Sequence, residues 1–86
     1  MKELMRLDKY LKVSRIIKRR TVANEACDAG RVVVNGKIAR ASYDVKVDDV
    51  IELTLGARTV KARVVSVNEY AKKDEAAMMY EIIEEK

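Results

Sequence analysis

The stretch Arg6–Gly36, RLDKYLKVSRIIKRRTVANEACDAGRVVVNG, decides how the chain is read. Leu7, Tyr10, Leu11 and Ile17 recur at the spacing of an amphipathic helix stripe. Asp8, near the start of that helix, suits the positive end of the helix dipole and is a candidate cap. Lys9, Lys12 and Arg15 step by three, drifting by about 60° each time, and so form a basic band beside the apolar stripe. Lys18-Arg19-Arg20 follows. Thr21 is then the predicted N-cap of a second helix over Val22–Ala29, with Gly30 as its C′ stop. Val22, Ala23, Ala26 and Cys27 give this helix a narrow face of small apolar side chains, suited to close packing on the first helix. Arg20 stands at the entry to the second helix, where free backbone N–H groups and the dipole favour an anion. A phosphate there would meet a guanidinium fork as well as unpaired amides. Arg31–Val34 reads as a strand, Asn35-Gly36 as a two-residue hairpin turn, and Lys37–Arg40 as the return.

Beyond this stretch the pattern turns to strands. Ala41–Lys46 is a connection, with Val45 and Val47 on an edge-strand face. Ile51, Leu53 and Leu55 alternate with Glu52 and Thr54, and Val60, Ala62 and Val64 alternate with Thr59, Lys61 and Arg63. The two runs flank Gly56-Ala57, which predicts an antiparallel hairpin. Val65 and Val67 break the second run's phase, as a bulge would. Asp74–Met79 has helix formers behind a cap, and Tyr80–Glu84 either extends that helix or closes the sheet as a strand. Met1–Leu4 reads as a loose lead-in, with Met5 an equally good start, and the last three residues as a frayed end. The expected class is α+β: two N-terminal helices packed on a small, mostly antiparallel sheet, followed by a short C-terminal element.

The 86 residues suffice for one domain and one core. A content of 49% apolar and 37% charged residues fits a folded core under a charged shell. Histidine is absent, which removes the commonest general base, the usual nucleophile–base pairs and the usual metal ligand. The single Cys27 forms no internal disulfide and reads as a small buried apolar residue. No convergent pair of carboxylates or lysines stands out, so neither catalysis nor a cofactor nor a metal is expected. The segment MKELMRLDKY lacks an apolar signal core, and no apolar run is long enough for a bilayer, so a cytoplasmic protein is expected.

The net charge of +4 hides an asymmetry. Residues 1–40 carry 11 Lys/Arg against 4 Asp/Glu, whereas residues 41–86 carry 7 against 10. A basic half on a small domain implies a polyanionic partner, nucleic acid first. The alternative is a solvated basic face. Tyr10, Tyr43, Tyr70 and Tyr80 are too scattered for a base-stacking platform and read as core or half-core.

RLDKYL, Arg15, Arg20 and AGRVVVNG, in that order, resemble the RNA-binding domain named after small-subunit ribosomal protein four, the S-four domain or αL motif. The resemblance runs from about Arg6 to Leu53. EAAMMYE at Glu75–Glu81 is similar to the segment that follows this domain in the heat-shock-protein-fifteen-like group. Together with KVSRIIKRRT and the short chain, it places the resemblance nearest the family of ribosome-associated quality-control factor P. That resemblance implies an S-four-type RNA-binding domain over residues 6–69, after a lead-in at 1–5 and before a C-terminal segment at 70–86. It also implies a ribosome-associated, non-enzymatic factor. Such a factor binds large-subunit rRNA and peptidyl-tRNA on stalled large ribosomal subunits, without a membrane and as a monomer. There it supports template-free alanine tailing by a NEMF-family partner.

Carried over by position, Arg6 and Arg20 match arginines that touch rRNA and tRNA, and Arg15 and Lys18 match further basic positions. Lys9, Lys12 and Arg19 add to the field over several phosphates. Asp8 reads as a cap or an orienter of arginines. Arg20 could instead pair with Glu25, and Arg6 with Asp8 or Glu3. The chain departs from the family pattern at Asp48-Asp49, where Gly-Asp is usual, at Cys27, and in Met1–Leu4. Alternative readings are a general rRNA-binding factor like heat-shock protein fifteen, a helix-turn-helix DNA binder reading with Val22–Ala29, or an accessory domain of an RNA-modifying enzyme.

Overall fold

The computed structural model describes residues 5–67 and 72–85. The expectations for Met1–Leu4, for Tyr70 and for Lys86 lie outside these residues. A two-residue strand β1 (Met5–Arg6) leads into helix α1 (Leu7–Val13), followed by helix α2 (Arg20–Asp28). Strands β2 (Val32–Val34), β3 (Lys37–Ile38), β4 (Asp44–Val45), β5 (Val50–Leu55) and β6 (Arg58–Val64) come next. One turn of helix, α3 (Lys73–Ala76), and strand β7 (Tyr80–Glu85) complete the order. The fold is a small α+β domain. Five strands form an antiparallel sheet in the order β3-β2-β5-β6-β7, and β1 pairs with β4 in a separate ribbon. Met5 is thus part of the fold: it faces Val45 and is buried.

The start of α1 is anchored through backbone. Leu7 N–H donates to Tyr43 O (2.8 Å) and Asp8 N–H to Ala41 O (3.2 Å), so the segment before β4 satisfies amides that a helix start otherwise leaves open. Asp8 is therefore not the N-cap; Arg6 holds that position without a side-chain cap. Leu7, Tyr10 and Leu11 are fully buried, as their spacing predicts. The helix stops earlier than the stripe suggests. Ser14 is the C-cap and Arg15 turns left-handed (φ +64°), its N–H donating to Lys12 O at 3.0 Å. Ile17 still reaches the core, but from the bend, with its N–H on Leu11 O (3.0 Å). Lys9 and Lys12 alone of the basic band lie on α1.

Helix α2 begins at Arg20, with Arg19 at the N-cap, and not at Val22 behind a Thr21 cap. Arg19 makes no side-chain cap, and Thr21 lies inside the helix, so threonine's capping preference goes unused. Its end is as expected. Gly30 takes φ +74° and donates to Cys27 O, while Arg31 N–H reaches back to Ala26 O, the paired bonds of a Schellman motif. Ala23, Ala26 and Cys27 are buried, whereas Val22 is exposed and off the packed face.

Asn35 (φ +53°) and Gly36 (φ +83°) make the two-residue turn between β2 and β3. Asn35 also ties this tip to β5. Its side-chain oxygen accepts from Val50 N–H (2.9 Å) and its amide donates to Asp49 Oδ1 (3.0 Å). The buried Asp49 carboxylate additionally accepts from Tyr43 O–H (2.9 Å) and Lys46 N–H (3.0 Å). Hairpin, connection and central strand are thereby locked together.

On the sheet's inner face lie Val32, Val34, Ile51, Leu53, Ala62 and Val64, all buried. The outer face is a charged ladder, with Lys61 on Glu52 (3.5 Å) and Arg63 on Glu81 (3.0 Å). Leu55 and Val47 lie exposed, and Val47 belongs to a turn and not to an edge strand. Strand β6 ends at Val64; beyond it, Val65 and Ser66 N–H groups both converge on Met79 O. The irregular register lies earlier, between Lys61 and Ala62, where β7 pairs. Tyr80–Glu84 resolves as a closing strand. Tyr10 O–H donates to Met79 O (2.7 Å), fastening this C-terminal segment to α1.

Asp48 occupies a left-handed conformation (φ +77°) at the position where the resemblance sets glycine. That conformation costs an L-residue roughly 1–2 kcal/mol, offset by the 0.5–1 kcal/mol of backbone freedom that glycine loses on folding. Asp48→Gly is expected to stabilise the fold by about 0.5 kcal/mol, read as a higher urea midpoint at unchanged slope.

Candidate RNA-binding face

The centre of the site is a carboxylate. Asp8, on the first turn of α1, is 2% exposed. Its oxygens accept from four donors: Arg6 Nε (3.2 Å), Arg20 Nε (3.3 Å), Asn24 Nδ2 (3.3 Å) and the Lys9 backbone N–H (2.8 Å). A second Arg6 nitrogen lies 3.3 Å from Oδ2. Burial pushes the carboxyl pKa up, but the hydrogen bonds from Asn24, Arg20 and the Lys9 amide outweigh it, so it lies below its ordinary value. The group is therefore an anion at neutral pH, held between two cations.

This arrangement brings Arg6 and Arg20 together although 14 positions separate them. Both guanidiniums are about half exposed, at 50% and 48%, while the carboxylate beneath is closed off. Arg20 binds Asp8 through Nε, which leaves its terminal nitrogens as outward donors. An arginine fixed at its inner edge and open at its outer edge is pre-organised for phosphate. Arg20 does not pair with Glu25. Of the two readings offered for Arg6, the pairing with Asp8 is present, and it orients the side chain without hiding it.

The remaining candidates are placed differently. Lys9 lies half-buried on α1. Arg15, Lys18 and Arg19 lie exposed in the bend between the helices, and no carboxylate pairs with them among the described residues. Asn24, the third side-chain donor to Asp8, is missed by charge counting because it is neutral. Its signal in the sequence is one helical turn: it follows Arg20 by four positions and so faces the same way. The bend carries a strained residue, Arg15. Arg15→Gly is expected to raise stability by about 0.5 kcal/mol through relief of the left-handed strain. It is expected to weaken polyanion binding by removing one charge. Urea melts and a salt titration of binding read the two effects separately.

Elsewhere the chemistry is quiet. Cys27 is buried, and its thiol is pushed up to about 11 by burial, helped by the charges of Asp8 and Asp28. It stays protonated at neutral pH. Among the described residues no group of three or more His, Cys, Asp or Glu is placed to hold a metal. No described helix is long and apolar enough to cross a membrane.

The helix pair over an antiparallel sheet, with paired arginines on its helical side, is the architecture of a compact RNA-binding module. The family model described as the S4 domain matches residues 5–51, and the chain belongs to that family. Its relatives narrow the placement. A protein of Streptococcus pneumoniae named RQC P-site tRNA stabilizing factor is 56% identical over 81 residues, covering 94% of this chain and 92% of that protein. The Bacillus subtilis protein of the same name is 51% identical over 81 residues, covering 94% of each. In structure, the chain is similar to Vibrio cholerae heat shock protein 15, described as trimeric. The TM-score is 0.85 at 28% identity, over 93% of this chain and 82% of that one.

Proposed function

We propose that the chain is a non-enzymatic RNA-binding factor of ribosome-associated quality control. It binds large ribosomal subunits that carry a stalled peptidyl-tRNA, and residues 6–69 form its RNA-binding unit. The observation that carries this reading is the pair Arg6 and Arg20, held by one buried carboxylate on a domain whose relatives are named for stabilising P-site tRNA. Arg6 and Arg20 contact phosphates of rRNA and tRNA, and Lys9, Arg15, Lys18 and Arg19 add to the surrounding field. The factor makes and breaks no bond. It favours one pose of the tRNA by binding that pose more tightly than others. Alanine tailing by a NEMF-family partner on the same subunit is the process this pose would serve, in the cytoplasm.

A tagged pull-down from cells under translational stress tests the reading. Large subunits, tRNA and alanine-tailed chains are expected together. Subunits without tRNA would favour a general rRNA-binding factor, and absence of ribosomes would overturn the proposal. Binding to purified subunits is expected to weaken steeply with salt, since each phosphate neutralised adds about 0.9 to the log–log slope. Salt-insensitive binding would point to an apolar protein interface instead.

A further inference from the structure

Arg40 lies outside the site described above, on a segment whose backbone is hydrogen-bonded on both sides. Its neighbours Ala39 and Ala41 are buried, at 7% and 6% exposure, and Arg40 itself is exposed. The backbone around it is pinned on both sides. Ala39 N–H donates to Val32 O (3.0 Å), Tyr43 N–H to Arg40 O (3.0 Å), and Ala41 O accepts from Asp8 N–H (3.2 Å). The segment that presents Arg40 is thus anchored directly to the residue that orients Arg6 and Arg20.

Two open hollows meet at this segment. One is lined by Arg6, Asn24, Asp28 and Ser42, running between the end of α2 and the hairpin. The other is lined by Asn35, Lys37 and Tyr43 beside the hairpin tip. Ile38, Ala39, Arg40 and Ser42 border both, so Arg40 stands on the ridge between them. Ile38, 71% exposed, forms an apolar wall where β3 comes over Gly30. The charged linings are Arg6, Lys37 and Arg40 against Asp28, and among the described residues no carboxylate pairs with Lys37 or Arg40. With Lys37 and Arg40 unpaired among the described residues and the backbone at Arg40 pinned, the channel keeps an excess of positive charge although Arg6 is paired with Asp8, and so is complementary to a phosphodiester backbone.

We propose that the RNA-binding face continues from Arg6 across Arg40 to Lys37, and that this channel seats a backbone segment of RNA, with Arg40 and Lys37 on successive phosphates. This extension rests on the proposed function above. It adds contacts on the hairpin side of the domain, away from the bend between the helices.

The test measures binding of the full chain to purified bacterial large ribosomal subunits that carry peptidyl-tRNA, across a salt series. Wild type is compared with Arg40→Ala, Lys37→Ala and the control Arg58→Ala. Arg58 begins β6 opposite Leu55, whereas the hairpin tip meets β5 at Val50, so the control lies at the other end of the sheet. Arg40→Ala and Lys37→Ala are each expected to weaken binding about fivefold to tenfold and to lower the salt slope by about 0.9. Thermal midpoints stay unchanged, because both side chains are exposed. Arg58→Ala is expected to match wild type. Wild-type affinity and slope in both channel variants would overturn the channel while leaving the broader reading intact. An equal loss with Arg58→Ala would also overturn it, by showing only a diffuse field. Failure of wild type to bind subunits would instead overturn the proposed function, and the channel with it.

Discussion

Arg20→Ala is expected to reduce affinity for large ribosomal subunits about thirtyfold while the protein melts within a few degrees of wild type. The binding loss follows from removing one charge-assisted phosphate contact, worth on the order of 2 kcal/mol. The stability loss is smaller because the Arg20 end of the pair is half open to solvent, at 48% exposure, and the buried Asp8 keeps Arg6, Asn24 and the Lys9 amide as partners. Screening holds that part to below about 1 kcal/mol. Arg6→Ala is expected to act in the same direction. Arg20→Lys separates charge from geometry. An ammonium on Asp8 has no outer fork to offer, so most of the binding loss should remain although the charge is restored. Full rescue by lysine would show that Arg20 acts only through the field. A drop in melting temperature as large as a core truncation would show that it is structural.

Local chemistry made the hairpin and helix stop legible in the sequence. Asn35-Gly36 and Gly30 sit where backbone torsions are positive, and the residue types that tolerate those torsions mark the positions directly. The alternation in β5 and β6 was equally plain, because each strand has one face on the core. The end of α1 was hidden for the converse reason: its turn uses Arg15, a residue with no preference for φ +64°, and Ile17 continues the stripe while entering the core from a bend. Of the β1–β4 ribbon only the strand at Val45 is legible, because two-residue strands carry no period. Strand β7 stayed open because YEIIEE alternates too weakly to oppose its helix formers, and pairing with β6 decides it. In the site, Asp8 could be read as an orienter of arginines and as a partner for Arg6, but its hold on Arg20, 12 positions away, could not. What brings Arg6 and Arg20 to one carboxylate is the packing of α1 on α2 and the burial of Asp8 between them, which sequence spacing does not show.

That burial makes Asp8 the more informative residue to change. Asp8→Asn keeps the volume and one acceptor oxygen but removes the charge, and its amide would face the guanidinium donors. The loss is expected to be about 2 kcal/mol of stability at neutral pH, since hydrogen bonds to a charged group fail together. Subunit binding should fall as well, because Arg6 and Arg20 lose the anchor that aims them. The effects should not add: once Asp8 is Asn, Arg20→Ala should cost much less binding than it does in wild type. Acidity gives an independent reading. Asp8 is ionised in the fold below its ordinary range, so its contribution is complete above the unfolded value of about 3.9 and is lost as pH falls through the lower folded value. The difference in urea midpoint between wild type and Asp8→Asn should therefore hold from pH 7 to pH 5 and close below about pH 4. A gap that persisted undiminished in acid would mean that Asp8 acts through packing alone. Additive losses in the double variant would mean that the two arginines do not depend on it for their aim.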